Sequence, residues 1–114
     1  MTQFTINLVQ GSVTINFTAE AARELQIELT ALMQNLKTVA LTTAGRGGRP
    51  QPRSSMEYRH NGAIFLEVFC NPNIYPSPFS AKVLLTIKNS DIRLTTEAEL
   101  TQLLEDVERY IEQN

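Results

Sequence analysis

The dipeptide Asn61-Gly62 stands between two strand-like runs, residues 56–60 and 63–70, and that combination is the strongest short-range signal for a β-hairpin. Glycine, and asparagine to a lesser degree, enters the left-handed backbone region that a two-residue reversal demands. Such a turn pairs His60 with Ala63, Tyr58 with Phe65 and Met56 with Glu67. One face then carries Met56, Tyr58, Phe65 and Phe69, and the other Ile64, Leu66, Val68 and Cys70. A strand apolar on both faces is expected to be central and covered twice, either within the chain or by a twofold copy.

The rest of the chain extends this into an α+β domain. Residues 3–9 alternate, with Phe4, Ile6 and Leu8 on one face, and residues 13–17 repeat the pattern with Val13, Ile15 and Phe17. Gly11 lies between them, so period two on both sides of a turn reads as a second hairpin. Thr18 caps a helix whose apolar stripe runs through Ala22, Leu25, Leu29, Leu32, Met33 and Leu36 to about Lys37. Residues 38–43 are read as a short strand, and residues 44–55 as a flexible loop rich in glycine, arginine and proline. After 63–70 comes a proline-rich connection, 71–79, expected to be extended and stiff. Residues 82–88 form a strand with Val83, Leu85 and Ile87 inward, and 92–94 a shorter one. A last helix begins at Thr95 or Thr96, with Leu100, Leu103, Leu104, Val107, Tyr110 and Ile111 on its stripe and a Glu105–Arg109 pair outside.

The expected order is ββα-βββ(β)-α. It describes a mostly antiparallel sheet of five to six strands with two amphipathic helices, in a single domain spanning 1–114. A chain of 114 residues with 42% hydrophobic content has enough material for one core. Residues 15–21 and 92–98 share four of seven identities, which any strand running into a capped helix favours.

Functional classes narrow by what the residues permit. The first five residues have no basic region or long apolar run, and no stretch spans a bilayer, so the expected location is cytoplasmic, without a membrane. Cys70 is the lone cysteine, which leaves no intrachain disulfide and no cysteine zinc site; no metal or cofactor is expected. His60 is the lone histidine, and the turn register puts it on the face opposite Cys70, too far for a thiol–imidazole pair. Glu105, Asp106, Glu108 and Glu112 avoid the apolar stripe and are expected to face water. Gly45-Arg46-Gly47-Gly48-Arg49 lacks phosphate-loop spacing and is followed by Pro50 rather than a helix. A catalytic constellation is not expected.

Charge is uneven although the net is −2. Lys37, Arg46, Arg49, Arg53 and Arg59 face only Glu57 in the middle of the chain, while the last twenty residues are strongly acidic. The expected function is therefore a non-catalytic protein-interaction module, serving as an accessory, assembly or regulatory subunit. Arg46, Arg49, Arg53 and Arg59 would grip an acidic protein, Ile74, Tyr75 and Phe79 would anchor it, and Tyr58, Phe65 and Phe69 would form an aromatic face lying beneath the first helix or in an interface with a partner or second copy. Those aromatics and arginines also admit a second reading, a stacking platform for single-stranded nucleic acid. A strand–helix module with basic loops and sheet aromatics is similar in architecture to small single-stranded-DNA-binding coactivator folds, without a shared motif. A small enzyme is the third reading.

Overall fold

The computed structural model describes residues 3–46 and 55–114, with side chains from 3–37 and 55–114. Among them, six strands and two helices follow the order ββα-ββββ-α. The strands β1 (Gln3–Asn7) and β2 (Ser12–Asn16) form an antiparallel hairpin in register Phe4–Ile15 and Ile6–Val13. Gly11, at φ +82, supplies the left-handed residue of its turn, and the Leu8 N–H donates to the Gly11 carbonyl.

Helix α1 (Ala19–Arg46) starts where expected. The Thr18 hydroxyl accepts from the Ala21 N–H at 3.1 Å, and Glu20 lies in the first turn, where the helix dipole favours it. The helix does not stop at Lys37. Residues 38–43, expected as a strand, continue it, as do Ala44, Gly45 and Arg46 from the expected loop. Valine and threonine each cost only a few tenths of a kcal/mol in a helix, roughly. Each added residue also gains a backbone hydrogen bond once the helix exists. No proline precedes position 50 to end it. The rest of the expected loop, 47–54, lies outside the described residues.

The strands β3 (Met56–Asn61), β4 (Phe65–Cys70), β5 (Lys82–Lys88) and β6 (Arg93–Glu99) form a four-stranded antiparallel meander. The six strands thus divide into two sheets rather than one. Between β4 and β5, Pro72–Ile74 make a short 3₁₀ turn capped by the Asn71 side chain, where an extended run was expected. Strand β6 runs to Glu99, so Thr95, Thr96 and Ala98 pair with β5 instead of opening a helix. Helix α2 (Leu100–Gln113) begins with no side-chain cap; the Leu100 N–H donates to the Ala81 carbonyl at 3.0 Å, which satisfies one of its open donors. The 15–21 and 92–98 segments consequently differ in structure, the first a strand entering a helix and the second wholly strand or its approach.

One core joins the two sheets. Leu25, Leu29, Leu32 and Leu36 of α1 and Leu100, Leu103 and Val107 of α2 are buried with Leu66, Val68, Val83, Leu85 and Ile87 of the larger sheet. Each such side chain contributes about 1.5–3 kcal/mol by leaving water. The hairpin closes the core from the other side, with Phe4 stacked on Phe17 at 5.5 Å and tilted against Tyr110 at 5.1 Å. The Tyr110 hydroxyl donates to the Phe17 carbonyl and the Tyr58 hydroxyl to the Ala21 carbonyl, tying α2 to the hairpin and β3 to α1. Among the described residues, no helix is long and apolar enough to cross a membrane.

Candidate interaction surface

The β3–β4 turn decides which side chains share a surface. Asn61 pairs with Phe65, His60 with Leu66, Tyr58 with Val68 and Met56 with Cys70, so residues 62–64 form a three-residue loop, not the two-residue turn expected. The shift from Ala63 to Leu66 opposite His60 is odd, and in a structure of period two an odd shift exchanges the faces of β4. The expected register would have put the Glu67 carboxylate beside Met56 and Tyr58, beneath the helices. In the observed one Leu66, Val68 and Cys70 are buried there, and Glu67 turns outward to meet Arg59 at 2.7 Å. Burying Leu66, Val68 and Cys70 rather than Phe65, Glu67 and Phe69 keeps a carboxylate out of the core, and that cost decides the register.

The expected aromatic face therefore does not form. Tyr58 is buried under α1, and burial, with the Glu24 carboxylate adding to it, pushes its phenol up to about 12. Phe65 and Phe69 lie on the opposite face, half-buried. Arg59 is on that outer face too, but its guanidinium is held between Glu67 at 2.7 Å and Glu57 at 3.8 Å, and both carboxylates favour its charged form. Ile74 and Phe79 are exposed, at 66% and 80%, whereas Tyr75 packs partly on the core and burial raises its phenol pKa. The side chain of Arg46, and Arg49 and Arg53 entirely, lie outside the described residues.

His60 and Cys70 share the helix-covered face, contrary to expectation. They do not meet: His60 lies opposite Leu66, four residues from Cys70 along β4, about 13 Å at strand spacing. The His60 ring packs edge-on against Phe17 at 4.9 Å. The Cys70 thiol is buried, which pushes its pKa up to about 11 and keeps it protonated. Asp106 does not face water as Glu105 and Glu108 do; it is 2% exposed. Its carboxylate accepts from the Asn7 backbone N–H at 2.8 Å, the Asn7 amide at 2.9 Å and the Gln102 amide at 2.9 Å, with Arg109 at 3.8 Å. It locks α2 to β1.

Residues not singled out in the sequence complete the outer face. Leu84 of β5, 42% exposed, lies in register with Phe69 and Glu97; Lys88 lies in register with Phe65 and Arg93. The Lys88 ammonium sits 4.8 Å from the Phe65 ring centre, a cation–π distance. The alternation of residues 82–88 carried the signal. With Val83, Leu85 and Ile87 inward, Leu84 is the apolar residue left on a face otherwise made of Lys82, Thr86 and Lys88.

The surface is open and shallow, with charged side chains at its margins, and among the described residues no group of three or more metal-ligating side chains converges. Compared with protein-family models, curated proteins and solved structures, the chain matches none.

Proposed function

We propose that the chain is a non-catalytic protein-interaction module that docks through the outer face of its four-stranded sheet. The observation that carries this reading is Leu84, exposed beside Phe69 on the sheet face that also carries Phe65 and that the helices leave bare. Large apolar side chains exposed among charged ones on one face are what a partner surface recognises. Charge on the face is balanced: Arg59, Lys82, Lys88 and Arg93 stand against Glu57, Glu67, Glu97 and Glu99. Balance of that kind suits a protein surface of both signs better than a polyanion, whose binding draws on accumulated positive charge.

A photo-crosslinking residue at Thr95, on this face, is expected to capture a defined protein, the chain itself included, when introduced in the native host. Leu84→Glu should abolish that capture while leaving the circular dichroism and melting temperature close to wild type. Equal capture from Thr95 and from Glu108 on the far side of α2, unaffected by Leu84→Glu, would remove the reading. Single-stranded nucleic acid is the second reading, favoured by Lys88 over Phe65 with Arg93 alongside. It requires oligonucleotide binding that falls steeply with salt and is lost in Phe65→Ala.

A further inference from the structure

The outer face of the sheet is polarised along its strands. Toward one end Phe65, Lys88 and Arg93 lie in one cross-strand row, with two positive charges; toward the other Glu57, Phe69, Leu84 and Glu97 lie in another, with two negative charges. Between the rows Arg59 and Glu67 neutralise each other. Among the described residues neither Arg93 nor Glu97 has an ion-pair partner.

That pattern is its own complement. A half-turn about an axis crossing the strands at Glu67 and Thr86 brings the first row of one copy over the second row of another. Phe65 then meets Phe69, the Lys88 stem covers Leu84, and Arg93 stands beside Glu97, each contact made twice by symmetry. A half-turn about an axis along the strands places Glu57 over Glu97 and gives Arg93 and Lys88 no acid. Only the first arrangement brings acid against base, and on its axis each internally neutralised Arg59–Glu67 pair faces the same pair of the other copy. Two sheets stacked face to face leave room for interleaved side chains of this size.

We propose that the chain forms a twofold dimer through this face, with reciprocal Arg93–Glu97 ion pairs closing the apolar contact of Phe65, Phe69 and Leu84. The inference rests on the interaction-module reading and names its partner as a second copy. On the edge strand β6 the ion pairs stand at the margin of the apolar contact, where charge complementarity fixes the register of the two copies.

Light scattering and sedimentation equilibrium on the full chain test it. The wild type is expected at twice 12.8 kDa at high micromolar concentration. Arg93→Glu and Glu97→Arg, both at exposed positions, should each weaken the dimer about tenfold or more by setting like charges together. The double variant, and an equimolar mixture of the two single variants, should recover it. A monomeric wild type overturns the inference. So does a dimer indifferent to both single changes, which would use another surface, or one that the double variant fails to restore. If the wild type is monomeric and Thr95 still crosslinks a different protein in a Leu84-dependent way, the module reading stands and the self-partner falls; if neither occurs, both fall.

Discussion

At the scale of single residues, the structure assigns weight differently from the sequence pattern, and Asp106 is the clearest case. Charge suggested a solvated position, yet Asp106 is three residues after Leu103 and four before Tyr110, spacings that place it on the buried side of α2. Asn7 of β1 and Gln102, one turn earlier on α2, supply the donors that make burial tolerable, and Asn7 is not visible from the helix sequence alone. Replacing Asp106 by alanine strands the Asn7 N–H, and urea denaturation should show a loss of about 1–3 kcal/mol. Glu105→Ala, which breaks an exposed pair at 3.2 Å with Arg109, should change stability by less than about 0.5 kcal/mol. An Asp106→Ala protein as stable as wild type would show that the latch contributes nothing.

At the scale of elements, local signals held where one physical term dominated. The β1–β2 hairpin, the start of α1 at Thr18 and the apolar stripe of α2 follow from alternation, capping and helical period. Boundaries failed where tertiary pairing overruled propensity. Residues 95–99 became strand because β5 offers a full ladder of partners out to Glu99, and a hydroxyl cap on a helix start competes poorly with that ladder. Residues 38–43 stayed helical because nothing interrupts α1. The β1–β2 turn is a local feature that can be tested locally. Gly11 has φ +82 and open space where a Cβ would go, so Gly11→Ala isolates the conformational cost alone. It should destabilise by about 1 kcal/mol, with Gly11→Asn costing less because asparagine tolerates the left-handed region better. Equal thermal stability for all three residues at position 11 would contradict this assignment.

At the scale of the whole molecule, α1 and α2 pack on each other and on the four-stranded sheet, while β1 packs on α2 and the Val9 N–H after it donates to the Glu97 carbonyl of β6. The Tyr58 phenol reports on that assembly, because its pKa is raised to about 12 only while α1 covers β3. A folded-state pKa above the free value of 10.0 means the folded protein retains a proton the unfolded chain has lost. The corresponding stability is complete below pH 10 and declines as pH rises from 10 toward about 12. Chemical denaturation across that window should show a steeper loss for wild type than for Tyr58→Phe. Parallel profiles would show that the phenol is not linked to folding.

The amino-acid sequence alone set the order of the strands and helices and the inward residues of β1, β2, α1, β5 and the α2 stripe. These depend on periodicities of two and of three to four that are fixed by backbone geometry within a few neighbours. It did not determine the register of β4 against β3, since Asn61-Gly62 accommodates more than one loop length and both faces of β4 carry apolar side chains. Packing made that choice, by asking which of Leu66, Val68 and Cys70 or Phe65, Glu67 and Phe69 could enter the core without burying a charge. From that single decision follow the loss of the Tyr58–Phe65–Phe69 surface and the gain of one built on Phe65, Phe69 and Leu84. A surface shared between separate strands exists only once their alignment is set, and alignment is a property of the folded core.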